Sequence, residues 1–243
     1  MYEFYNQNIQ PTVLKRLRKD LRVLYDSIPP TVGCMEHIYT DCGAICCQKQ
    51  NPQLFFIEFL NSWNVISNNW SKQKIIALLQ RAVIQYLNNS VIKGCVFFDC
   101  HTKLCMQHST RPFNCYTYSQ VPEEEFESRI KRLKVIYPKE DFLPQCNLTR
   151  TIGKKPDKKD MDQWFNELSR LEREFVPSSA INDKEGGSYR TYHDHLLLYL
   201  GSDNFLYRLT HIKKSGSIED AEQIINQIKI NAVKFFPKLK WKE

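Results

Sequence analysis

All nine cysteines of this 243-residue chain, Cys34, Cys42, Cys46, Cys47, Cys95, Cys100, Cys105, Cys115 and Cys146, lie in its first 146 residues, and residues 147–243 carry none. A chain of this length can bury a sizeable core without help from thiols, so the crowding points to chemistry in one half of the sequence. The opening residues MYEFYNQNIQ lack the charged-then-apolar order of a secretory signal, and the expected location is the cytoplasm. Thiols stay reduced there. Clustered cysteines then read as metal ligands or reactive groups rather than disulfides.

The spacings support ligation. Thiolates are soft, charged donors, and short separations let one loop offer two of them to one centre. Cys42 and Cys46 stand in a C-x3-C relation within DCGAICCQ, Cys47 follows directly, and Cys95, Cys100 and Cys105 recur at intervals of five. Neighbouring side chains diverge in an extended backbone, so Cys46 and Cys47 would share a metal only from a turn; otherwise they reach two centres. A disulfide between them would need a distorted peptide. A reduced cysteine can also be a small buried hydrophobe, but the density favours ligation for Cys42, Cys46, Cys47, Cys95, Cys105 and Cys115. Cys34 and Cys146 are further candidates, and Cys100 reads as a bystander. Of the histidines, His37 and His108 could add a ligand. His193 and His195, two apart on a helical pattern, would diverge by about 200° and not chelate together.

Elsewhere the pattern is helical. Leu14, Leu17, Leu21 and Leu24 recur at helical spacing before Pro29-Pro30 stops the element. Ser71 reads as the N-cap of a helix carrying Ile75, Leu79, Val83 and Tyr86. Glu123–Tyr137 aligns Phe126, Ile130, Leu133 and Tyr137 behind an acidic first turn. Gln53–Trp63 is rich in Phe and Leu, and its period does not decide between helix and strand. The segment 94–118 shows little periodicity and reads as loop held by something other than a core. The polar stretch 151–160 reads as a linker. Helices are expected over 161–175, 189–200, 203–214 and 218–236, the last capped by Ser217, with a mobile loop around 177–188. The fold class is therefore mainly α, with an irregular, cysteine-rich, metal-held core. The division expected is a metal-binding region over 1–150 and a helical C-terminal region over 151–243.

The stretch CVFFDCHTKLCMQHSTRPFNCYTY, residues 95–118, resembles the second half of the YkgJ-type cysteine-cluster family, described as zinc- or iron-chelating and named for its CxxCxxCC motif. Cys95, Cys105, Arg111, Pro112 and Cys115 match that pattern one by one, and Cys42, Gly43, Cys46 and Cys47 correspond to its first half. The C-x3-C-C form and the early Cys34 are more similar to the flagellin lysine N-methylase branch of the group. Cys146, in LPQCNLTR, fits the place of a later family cysteine. The resemblance spans about residues 34–146. That branch implies an iron–sulfur cluster, methyl transfer from S-adenosylmethionine and a protein or peptide substrate.

Eight candidate thiolates exceed the four that one tetrahedral zinc or one cubane requires. One [4Fe-4S] cluster with spare thiols and a pair of centres are both open, and Zn2+ is the alternative metal, in a structural site beside a partner-binding tail. Arg111, between two candidate ligands, is expected to offset thiolate charge and donate hydrogen bonds to sulfur, a cofactor-binding role. The C-x3-C-x2-C loop of radical S-adenosylmethionine enzymes is absent. Basic residues exceed acidic ones by seven but are interspersed with them, which gives no support for nucleic acid. No run of about eighteen apolar residues marks a membrane span.

Overall fold

The computed structural model describes residues 3–6, 9–32, 44–143, 145–146, 148–174, 176–177 and 187–239. The expected loop at 177–188 therefore falls largely outside the described residues. The protein is mainly helical. A short 3-10 turn at Glu3–Asn6 precedes α1 (Pro11–Asp26), and α2 (Ile45–Lys49), α3 (Phe56–Asn69) and α4 (Lys72–Leu87) follow. After α5 (Phe113–Tyr116) and α6 (Glu123–Ile136) come α7 (Lys158–Glu172), α8 (Tyr192–Leu200), α9 (Asp203–Ser215) and α10 (Ile218–Phe235).

Local chemistry sets the ends of these helices. Ser71 Oγ accepts the Lys74 amide at the start of α4, and Ser217 Oγ accepts the Asp220 amide at the start of α10. Asp157 and Asp160 cap α7 reciprocally, at 3.0 and 3.1 Å. Gly216, with φ of +68°, closes α9 in the left-handed region that glycine enters at little cost.

Among the described residues three two-stranded antiparallel ribbons form, and two of them join distant parts of the chain. β1 (Thr31–Val32) pairs with β5 (Arg150–Thr151) in the register Thr31↔Thr151, and β2 (Gln53–Leu54) pairs with β6 (Arg190–Thr191) in the register Gln53↔Thr191. β3 (Phe98–Asp99) and β4 (Leu104–Cys105) form a hairpin. The apolar run at 53–63 thus divides into two residues of strand and the first half of α3. The polar stretch at 151–160 departs from the linker reading at both ends. Thr151 lies in a ribbon, the Ile152 amide donates to Pro30 O at 2.8 Å, and α7 begins at Lys158.

Helix α4 is the centre of the packing and touches α8, α9 and α10, while α1 packs on α3 and α7. Ile75, Leu78, Leu79, Ala82 and Val83 bury its inner face, each large side chain worth about 1.5–3 kcal/mol relative to exposure. The core they join draws Leu17, Leu21 and Phe56 from before residue 150 and Leu168, Leu196, Leu209 and Ile228 from after it. Two polar groups lock this arrangement. Glu172, fully buried on α7, accepts the Phe56 and Ile57 amides at 3.0 and 2.9 Å and so caps α3 from another helix. His195 on α8 donates from Nε2 to Leu54 O at 3.0 Å and accepts the Tyr5 hydroxyl at Nδ1 at 2.8 Å. Burial pushes His195 down to about 4, which keeps it neutral. Among the described residues no helix is long and apolar enough to cross a membrane.

Candidate metal centre

Five segments without helical periodicity of their own meet around one cavity of about 100 Å³, and each brings cysteine: Cys46 and Cys47 from α2, then Cys95, Cys105, Cys115 and Cys146. By the measure of about 10–15 Å³ per water, that space exceeds several water molecules. Ala44, in the left-handed region at φ 55°, redirects the chain into α2. Successive residues of a helix lie about 100° apart, so the adjacent thiols of Cys46 and Cys47 both reach the cavity where an extended backbone would have parted them.

Cys95, Cys105 and Cys115 are placed by backbone contacts, and Cys146 by a side-chain contact. The Cys95 amide donates to Cys47 O at 2.7 Å. That close approach depends on Gly94, where a Cβ would come to 2.8 Å from Gln48 O. The β3–β4 hairpin turns the chain back so that Cys105 pairs with Phe98, and the Met106 amide donates to Phe97 O at 2.9 Å. Cys115 sits on the single turn of α5, whose first amide, Phe113 N, donates to the buried Glu58 carboxylate at 2.6 Å. The Cys146 thiol lies 3.2 Å from Thr149 Oγ1. Cys100 is exposed at the far end of the hairpin and does not line the cavity.

The thiols perturb one another. Cys47 is hydrogen-bonded to both Cys46 and Cys105; its proton lowers Cys46 to about 7, lowers Cys105 also, and raises Cys47 itself. Burial pushes Cys95 up to about 12 and raises Cys115 well above its ordinary value, with neighbouring thiols adding to both. Arg111 adds to the lowering of Cys46 and Cys105 and opposes the rise of Cys115. Backbone amides also serve sulfur: Phe97 N donates to Cys95 Sγ at 3.5 Å, and Gln107 N donates to Cys105. So many thiols in one cavity cannot ionise together against the guanidinium groups of Arg111 and, beside Cys95, Arg81, and a bound cation would resolve the conflict. Among the described residues, no three His, Cys, Asp or Glu side chains stand grouped closely enough to hold a metal ion.

Of the other expected site residues, Cys34, Cys42 and His37 lie outside the described residues. Arg111 lines the cavity, stacks its guanidinium 4.6 Å over the Tyr116 ring and donates from Nη1 to His108 Nε2 at 2.5 Å. Its Nε is buried without an acceptor among the described residues. His108 is thereby committed to Arg111, and burial lowers its pKa. His193 instead meets Asn51 at 2.7 Å, while His195 stays in the core.

Two residues that the spacing of cysteines could not reveal support the site. Glu58, 3% exposed, accepts Phe55 N, Phe113 N and the Tyr25 hydroxyl, and burial raises its pKa against those donors. Tyr25 stacks on Tyr116 with ring centroids 5.5 Å apart, so one buried carboxylate steadies both α5 and the ring beneath Arg111. The signal for Glu58 in the sequence was a single acid inside the apolar run FFIEFL. The chain matches no protein-family model, no curated protein and no solved structure.

Proposed function

We propose that this chain binds an iron–sulfur cluster of the [4Fe-4S] type in the thiol-lined cavity, as a member of the YkgJ-type cysteine-cluster group. The observation that carries this reading is the presence of Cys46, Cys47, Cys95, Cys105, Cys115 and Cys146 on one cavity wall, drawn from five separate segments. Cys34 and Cys42 are further donors in this proposal. The size of the space favours a cluster over a lone ion. At a Zn–S distance of about 2.3 Å, four thiolates around one zinc stand within about 4 Å of each other, and a cavity of about 100 Å³ would be left largely unfilled. When bound, a cluster supplies one-electron transfer or a Lewis-acidic iron.

The chain's own residues fit such a group. The amides of Phe97 and Gln107 hydrogen-bond to cysteine sulfur, and Arg111 offsets thiolate charge, two means by which proteins tune cluster potentials. The further step, modification of a protein or peptide with S-adenosylmethionine as methyl donor, follows from the likeness to the flagellin lysine N-methylase branch. No residue of the cavity is assigned to that cofactor. Anaerobic purification followed by iron and acid-labile sulfide analysis and an absorption spectrum tests the reading. Iron and sulfide in equal amounts with broad visible absorption are expected. A colourless protein with stoichiometric zinc would replace the cluster by a structural zinc site, with the helical C-terminal region left as a partner surface.

A further inference from the structure

Among the described residues, Tyr192 is the one residue from beyond residue 149 that lines the thiol cavity. Local structure sets its place. The β2–β6 ribbon brings Thr191 into register with Gln53, Thr191 Oγ1 accepts the Asp194 amide as the cap of α8, and Tyr192 is the first residue of that helix. Its side chain is buried, with the ring edge-on to Phe97 at a centroid distance of 4.3 Å and tilted against Phe59 at 5.3 Å. Phe97 stands two residues after Cys95, so the ring is fixed against the segment that carries that thiol.

The Tyr192 hydroxyl is buried and has no hydrogen-bond partner among the described residues. Ser62 stands beside the phenol, but its own hydroxyl donates to Thr110 O at 2.8 Å and does not complete a hydrogen bond with Tyr192. Burial first, with the charge of Cys95 adding to it and Ser62 opposing it, holds the phenol well above its ordinary range, so at neutral pH the oxygen keeps a proton to donate. Ser62 and Cys95, the groups that act on this hydroxyl, line the cavity too, which places the hydroxyl end of the side chain at the cavity. The packing has no use for that oxygen. A buried hydroxyl without a partner destabilises a fold, and phenylalanine would fill the same space between Phe59 and Phe97. Arg111 Nε, on the same cavity, is likewise buried without an acceptor among the described residues. Two such donors fit a group that offers acceptors, and the sulfur of a metal-bound thiolate or sulfide is one.

We infer that Tyr192 is a positioning residue of the metal centre, whose hydroxyl donates a hydrogen bond to sulfur of the bound group on the Cys95 side. Every thiol of the chain lies before residue 147, so through Tyr192 the C-terminal region takes part in a site that it supplies with no ligand. The inference rests on the reading that the cavity binds metal, and it concerns a residue outside the stretch at 34–146 that the family likeness covers.

The test compares the full chain, purified anaerobically, as wild type, Tyr192→Phe and Tyr199→Phe, the last being a control in the same helix that does not line the cavity. Release of metal to a colorimetric chelator should be faster by about tenfold or more in Tyr192→Phe, in keeping with the loss of a group bonded to a metal ligand, and unchanged in Tyr199→Phe. The metal-stripped Tyr192→Phe protein should melt at the wild-type temperature or above it, since the ring is kept and an unpartnered oxygen removed. Wild-type release from Tyr192→Phe, or equal acceleration in both variants, would overturn the inference. Faster release with a lower melting temperature of the stripped protein would also overturn it, by assigning the hydroxyl to the fold. Metal analysis of the wild type keeps the two readings apart. Zinc in place of iron, with faster release from Tyr192→Phe, would remove the cluster and leave this inference standing; a bound cluster with unchanged release would do the reverse, and a wild type that holds no metal would overturn both.

Discussion

Helix α4 and the segment at residues 94–118 are close in the chain and are held by different forces. Helix α4 buries five apolar side chains against three other helices, and any one of its neighbours contributes only part of its stability. The segment at 94–118 buries Val96, Phe97 and Phe113, and is otherwise held by a two-residue hairpin, a backbone contact from Cys95 to α2, the Glu58 carboxylate and side-chain hydrogen bonds such as Ser62 to Thr110 O and Arg81 to Phe98 O. The first region is specified by area removed from water, the second by directional bonds that a bound metal would complete. Damage to the helical core should therefore be global, whereas damage to the cavity should be local and coupled to metal.

The largest expected effect lies in the helical core. Leu79 is completely buried, and Leu79→Ala should cost about 2–5 kcal/mol through lost burial and a residual cavity. Urea unfolding followed by circular dichroism checks this, with the same loss expected in metal-loaded and metal-free protein. A loss confined to one of the two would erase the distinction between the regions.

Acid should weaken the helical core next. His195 is held neutral with a folded pKa of about 4, below its ordinary value of about 6.5. Its contribution is fully present above the ordinary pKa and is lost as pH falls from about 6.5 to about 4, because the unfolded chain takes up a proton that the folded one refuses. The whole effect amounts to about 3 kcal/mol. Comparing melting temperatures at pH 7 and pH 4 for the wild type and His195→Gln should show a steeper acid loss in the wild type. Equal slopes would mean that His195 is not buried as a neutral donor.

The smallest expected loss of stability accompanies the most selective change in the cavity. In Gly94→Ala the new Cβ meets a backbone oxygen, Gln48 O, at 2.8 Å, so α2 and Cys95 must separate at a cost of about 1–3 kcal/mol. Metal content should fall sharply while the helical circular dichroism remains. Cys100→Ser, in an exposed residue away from the cavity, is the control and should change neither. Full metal occupancy in Gly94→Ala would show that the contact between these segments does not position the thiols.

What could be read from the sequence divides along the same line. The caps at Ser71 and Ser217 and the stripe of Ile75, Leu79 and Val83 are local signals, and the structure places them in α4 and α10 as read. The run at 53–63 stayed undecided because β2 exists only by pairing with Arg190–Thr191, more than a hundred residues away. The stretch at 151–160 looked like a linker for the same reason: the partner of Thr151 is Thr31. Spacing grouped the cysteines, Cys100 among them, and the likeness to the cysteine-cluster family left Cys100 unmatched, yet neither carried information on what sets Cys115 in place. That task falls to Glu58 in a neighbouring helix, and Glu58 depends in turn on α3, which Glu172 of α7 caps. A carboxylate inside an apolar run signals a buried partner without saying which.

The central claim, that separated thiols serve one bound centre, is tested most directly by mapping alkylation of the purified anaerobic protein with iodoacetamide before and after metal removal, residue by residue, by mass spectrometry. The account predicts modification of Cys100 in the metal-loaded protein, protection of Cys46, Cys47, Cys95, Cys105 and Cys115 together, and simultaneous loss of that protection when the metal is stripped. Independent rates for those five residues, unchanged by metal removal, would contradict it.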